Sequence, residues 1–177
     1  MINFQVPNRD EVAANNQTIF DNLQKGLGMV PNLYAVMALS DTALGNYLDF
    51  QNAKTSFSNK EKQAVNLVVS QVNECHYCQS AHTLLGTMNG LTTEQTIEIR
   101  KGSASFDQKL DSLVKLAKEI TTKKGFACTE AVDAFIEAGY TKGQVIELVF
   151  LVAEKTAMNY VHALTKVDID FPLAEII

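Results

Sequence analysis

Apolar residues recur along this chain at the three- and four-residue spacing of one helix face, while alternating Val, Ile and Thr runs with Asn-Gly turns are nearly absent. The expected fold class is therefore all-α. A first helix is expected after Pro7-Asn8, carrying Val12, Ile19, Phe20 and Leu23 and stopped by Gly26 and Gly28. Pro31-Asn32 opens a short helix through Leu39, and Asp41 is placed to cap another that runs to about Lys54. Ser58-Asn59-Lys60-Glu61 has capping-box spacing, so a helix is expected from there through Leu67 and Val68 toward Val72. Thr92 with Gln95, and Thr141 with Gln144, repeat that spacing; Gly102, Gly125 and Gly139 sit where helices should stop. Periodic segments from Gln108 to Thr122 and from Lys142 to about Lys166 complete roughly eight or nine helices.

One interruption matters for chemistry. Asn73 or Glu74 is expected to break the helix that begins at Ser58, because Asn tolerates the left-handed conformation and caps well. Cys75 then stands at a new helix N-terminus, and that helix carries Cys78, His82 and Leu85 on one face before ending near Asn89-Gly90. A thiolate is favoured by the positive end of a helix and by an imidazole that can take the proton. The second thiol, one turn away, can attack a sulfenic acid on the first and close a disulfide. A C-x-x-C can also arise by chance, since cysteine is a common small core residue; His82 in the fourth position after Cys78 favours redox chemistry. A zinc site would need a fourth ligand beyond Cys75, Cys78 and His82, and no second C-x-x-C or H-x-x-x-H exists, so no metal is expected.

Composition narrows the setting. The 177 residues are 46% hydrophobic and 20% charged with three prolines, the profile of one ordered globular domain, here residues 1–177. The net charge of −5 with scattered lysines does not favour a nucleic-acid or anionic-membrane partner. The longest apolar stretches, such as Val145–Val152, fall well short of the roughly 20 residues that cross a bilayer. The amino terminus has no basic-then-apolar signal pattern, so a reducing cytoplasm is the expected compartment, where a C-x-x-C suggests redox chemistry or metal. His76 reads as an exposed neighbour of the thiols, Tyr77 as a nearby hydroxyl or a packing ring, His162 as a core or helix-end residue, and Cys128 as an inert buried thiol.

The segment Glu74-Cys75-His76-Tyr77-Cys78-Gln79-Ser80-Ala81-His82 resembles the AhpD-like alkylhydroperoxidase core of the carboxymuconolactone decarboxylase family. Gly28-Met29-Val30-Pro31-Asn32-Leu33 and the run from Ser58 to Asn73 look like its peroxidase-related branch, so the resemblance covers about residues 26–90. It implies an all-α AhpD-like domain and a peroxidase: Cys78 attacks a hydroperoxide, Cys75 resolves the sulfenic acid, and His82 serves the proton relay. It also implies an external dithiol reductant, lipoylated or thioredoxin-like, no bound cofactor, and a homo-oligomer, trimer or hexamer. The family's relay glutamate falls twelve residues before the first cysteine, where this chain has Gln63, an amide that cannot accept the proton a carboxylate accepts. Glu61 and Glu74 are the nearby carboxylates that could compensate; their plain reading is surface charge. The alternative function is therefore a non-enzymatic redox-sensing or dithiol-exchange protein with weak peroxidase activity. A lactone decarboxylase is disfavoured, since the family's namesake branch does not rely on the dithiol.

Overall fold

The helix signals become nine α-helices and one 3-10 turn, with no strand among the described residues, which in this computed structural model are residues 4–177. The helices are α1 (Ala14–Leu27), α2 (Asn32–Met37), α3 (Ala43–Gln51), α4 (Asn59–Val72), α5 (His76–Met88), α6 (Thr93–Lys101), α7 (Gln108–Thr122), α8 (Thr129–Glu137) and α9 (Lys142–Thr165). They fall into two compact units: the residues to Ala53 with Val161–Asp170, and Lys54–Tyr160 with Phe171–Ile177.

In the first unit, the 3-10 turn Arg9–Glu11 precedes α1, so Val12 is a buried loop residue instead of a helical one. Gly26 lies inside α1, and the stop falls at Gly28, whose left-handed φ of +79° lets its N–H bond Gln24 O. The expected cap at Asp41 is also displaced. The N-cap of α3 is Thr42, which makes no side-chain cap, and the Ser40 hydroxyl, three residues before the first helical residue, accepts from Ala43 N at 3.2 Å. Val12, Phe20, Ala35, Ala38 and Leu44 form this unit's core.

The second unit is built on α4. Seven consecutive residues, Ala64–Ser70, are buried, which marks a helix enclosed on all sides rather than one with a solvent face. Val65, Leu67, Val68 and Val69 pack with Leu113, Val114, Leu116 and Ala117 of α7 and with Leu148 and Val152 of α9. Each such side chain contributes on the order of 1.5–3 kcal/mol by leaving water. The expected capping boxes at Ser58, Thr92 and Thr141 all form. Helix α5 lies close against α4: at buried Gly86 an added Cβ would sit 3.3 Å from Leu91 Cδ1 and 3.6 Å from Leu67 Cδ1. No helix among the described residues is long and apolar enough to cross a membrane.

Candidate active site

Helix α4 ends in a Schellman turn that aims the next helix. Cys75 N–H bonds Ser70 O at 2.9 Å and Glu74 N–H bonds Gln71 O at 3.2 Å. The left-handed residue between the helices is Glu74, at φ +55°, and not Asn73. Asn73 instead ends α4 and donates its amide to Asn159 Oδ1 at 3.0 Å. Cys75 becomes the N-cap of α5, its sulfur accepting from Cys78 N–H at 3.3 Å. The C-x-x-C therefore stands at a helix N-terminus, where the unsatisfied amides and the helix dipole stabilise a thiolate.

Cys75 and Cys78 are joined as a disulfide, their Cα atoms 5.3 Å apart. Both are buried, as is His82 one turn beyond Cys78. Gln63, from α4, meets His82 across the helix pair: the amide oxygen lies 2.8 Å from His82 Nδ1. An amide oxygen only accepts, so Nδ1 carries the hydrogen and Nε2 keeps its lone pair. Burial first, and then the charge of Lys155, hold His82 well below its ordinary value, so the imidazole is neutral at pH 7. The structure thus gathers Cys75, Cys78, His82 and Gln63 in one buried place.

The two compensating carboxylates are elsewhere. Glu61 is neither a relay nor a free surface charge. Its Oε2 accepts from Ser58 N and Oγ at 2.8 and 2.7 Å, and its Oε1 accepts from Tyr140 OH at 2.7 Å. Burial pushes its proton affinity up, but the Tyr140 and Ser58 hydrogen bonds outweigh that and leave it lowered. Glu74 is exposed.

His76 is not an exposed bystander: its Nε2 lies 3.0 Å from Ala174 O. Tyr77 packs edge-on to Phe171 at 5.5 Å between centroids. His162 Nε2 lies 3.2 Å from Val167 O near the end of α9. Cys128 is half-buried at the start of α8, lining an open groove of about 780 Å³ between α7 and α8. The Ala131 amide pulls its thiol down, but Glu119, 3.6 Å away, and desolvation push it up further, so the thiol is held above its ordinary value and is half-buried where full burial was expected. Among the described residues no group of three or more His, Cys, Asp and Glu is placed to hold a metal.

Two features of the site escaped the sequence. Glu154 and Lys155 are buried side by side on α9, 3.6 Å between Oε1 and Nζ. Arg100 of α6 is also buried, with Nε on Gln71 Oε1 at 2.9 Å, Nη2 on Gln79 Oε1 at 3.1 Å and Nη1 on Glu175 O at 2.8 Å. The only sequence signal was a charged residue at the apolar period of its helix: Leu148, Val152, Lys155 and Asn159 follow one another at four, three and four.

Residues 41–119 match the family described as "Carboxymuconolactone decarboxylase family". Among curated proteins nothing matches. Several solved structures share the fold. One is an AhpD-core, peroxidase-related protein from Ralstonia eutropha JMP134, with a TM-score of 0.83, 14% identity, and 91% of this chain and 88% of that one covered. A peroxidase-related protein from Silicibacter sp. TM1040 has a TM-score of 0.80 and 17% identity, covering 94% and 90%. The debrominase Bmp8, as a variant in complex with 2,3,4-tribromopyrrole, has a TM-score of 0.79 and 16% identity, covering 94% and 91%. The chain thus has the fold of these AhpD-like proteins, and residues 41–119 within it match the carboxymuconolactone decarboxylase family.

Proposed function

We propose that this protein is a dithiol oxidoreductase that reduces hydroperoxides through Cys75 and Cys78. The observation that carries this reading is the buried disulfide at the start of α5 beside a neutral His82 held by Gln63. In the reduced protein the Cys78 thiolate attacks the peroxide oxygen, giving a sulfenic acid and an alkoxide, and the alkoxide takes a proton delivered through His82. The Cys75 thiol then displaces water from the sulfenic acid and closes the disulfide. Two electrons have passed from the dithiol to the peroxide, and an external dithiol must return them. Cys78 suits the attacking role because His82 follows it by one turn; Cys75, at the N-cap, suits resolution.

Gln63 favours a second reading, dithiol exchange or redox sensing with slow peroxide turnover, because the amide orients His82 but moves no proton. The likeness to Bmp8 adds halogenated pyrroles to the electrophiles worth assaying. The test is steady-state consumption of an organic hydroperoxide with lipoyl and thioredoxin-type donors. Cys78→Ser should abolish turnover, and Gln63→Glu should accelerate it by at least about tenfold, within the 10²–10⁴-fold typical of a general acid–base group. Dithiol exchange without peroxide consumption in the wild type and in Gln63→Glu would select the second reading.

A further inference from the structure

A buried ion pair, Glu154 with Lys155, stands on α9, the helix that packs on the one carrying Gln63. Lys155 is 2% exposed, and its level in the fold follows from the hydrogen bonds along α4. Helix α9 runs in the same direction as α4: Glu147 bonds Ser56 N at 2.7 Å, and Asn159 bonds Ser70 Oγ at 3.2 Å and Asn73 Nδ2 at 3.0 Å. Lys155, one turn before Asn159 on the same face, therefore stands near the level of Asn66. Helix α5 runs the opposite way: His82 meets Gln63, while Gln79 donates to Ser70 O at 3.2 Å. Asn66 lies between those two levels, so Lys155 stands between the height of His82 and that of the cysteines. Asn66 is itself buried, its Oδ1 without a hydrogen-bond partner among the described residues.

We propose that the counter-charge of the reduced dithiol is the buried ammonium of Lys155, and that His82 stays neutral as the carrier of the proton. This rests on the dithiol reading above. Cys75, Cys78 and His82 come from α5 and Gln63 from α4, Asn66 and Lys155 stand at the level between them, and Glu154 is paired to Lys155. Gln63 and Asn66 carry no charge, Glu154 is negative, and the guanidinium of Arg100 on α6 is engaged by Gln71, Gln79 and the Glu175 carbonyl, which leaves Lys155 as the cation at the level between His82 and the cysteines. A cation in a water-poor site disfavours a second positive charge on His82 and favours a negative one on sulfur. Burial holds the proton affinity of Lys155 below its ordinary value, and Glu154 opposes that shift without cancelling it. The thiol proton leaves Cys78 for His82 Nε2 and passes on to the solvent or to the leaving oxygen; no net charge remains on the ring. In a thiolate–imidazolium pair, by contrast, the ring would hold the proton.

The experiment uses the reduced full chain with Cys128→Ser. The rate of Cys78 alkylation by iodoacetamide is followed against pH, and the His82 ring nitrogens are followed by ¹⁵N NMR. The wild-type ring should remain neutral from pH 8 down to below the ordinary histidine value, while Cys78 is alkylated as a thiolate. Lys155→Met should slow alkylation at pH 7 by at least about tenfold and move its midpoint up by about one unit or more, with Lys155→Arg restoring the rate. Should Lys155→Met fail to fold, the paired variant Glu154→Gln/Lys155→Met removes both charges together. An imidazolium signal from His82 in the reduced wild type overturns the proposal without any variant. So does an unchanged alkylation profile in a folded Lys155 variant. A profile that responds to Lys155 in a protein that consumes no peroxide upholds Lys155 and refutes only the substrate assignment.

Discussion

Glu74 is where local strain and site geometry meet. A non-glycine residue in the left-handed region costs about 1–2 kcal/mol, yet the Schellman turn needs that conformation to deliver Cys75 to the α5 N-cap. Glu74→Gly should therefore stabilise the fold by about 1 kcal/mol in urea denaturation, leaving the disulfide in place. An unchanged or lower midpoint would show that the exposed carboxylate gains interactions that offset the strain. His82 supplies a pH signature with a definite sign. Its folded proton affinity lies below the ordinary 6.5, so under 6.5 the unfolded chain takes up a proton that the folded chain refuses. Stability is full above that pH and falls as pH drops below it. Urea midpoints measured from pH 7.5 to 5 should decline in the wild type and flatten in His82→Gln.

At the scale of elements, the sequence and the structure agree where local rules decide. The bounds of α7 and the three capping boxes were legible because the hydroxyl, the reciprocal acceptor and the apolar period all lie within a few residues. The misplaced cap at Asp41 shows the limit: the N-cap falls at Thr42, the local bond to Ala43 N comes from Ser40, and which residue takes that place depends on how the chain enters the helix. The polar seam was illegible for a different reason. Gln63, Asn66, Ser70 and Asn73 recur on α4 at a helical period, but the burial of Asn66 and Ser70 and the partners of Gln63 and Asn73 come from α5 and α9, whose packing no local pattern specifies. The pairing of Gln63 with His82 came from resemblance; the place of Lys155 needed the fold. Helix α9 also carries an exposed apolar row of Ile146, Val149, Ala153, Ala157 and Tyr160, spaced by three and four as in a helix seam. We expect this row to pair with that of a second copy. Sedimentation should give a mass above that of the 19.5 kDa chain, and Ile146→Glu with Tyr160→Glu should reduce it to the monomer. A monomeric wild type at micromolar concentration would refute the pairing.

Across the whole chain, the last seven residues return to the helix that carries the dithiol. Within the second unit, Phe171 packs edge-on to Tyr77, Ala174 N donates to Ser80 Oγ at 3.0 Å, Ala174 O lies 3.0 Å from His76 Nε2, and Glu175 O accepts from Arg100 at 2.8 Å. His76, Tyr77 and Ser80 occupy the side of α5 opposite Cys75, Cys78 and His82 at helical spacing, so this segment braces the helix from behind and leaves the reactive face alone. Its removal strands part of a buried guanidinium, at a cost of about 1–3 kcal/mol, and uncovers Tyr77 and Ser80. A chain ending at Asp170 should therefore melt several degrees lower than the full chain, in line with the few degrees that each kcal/mol is worth at this size. Amide exchange should quicken in the first two turns of α5, while α7, whose core contacts do not involve the segment, should keep its protection. Looser positioning of Cys75 against Cys78 should then slow closure of the disulfide after peroxide treatment more than it slows the first oxidation. Unaltered exchange in α5 would show that the Gly86 contact with α4 and α6 holds the helix unaided.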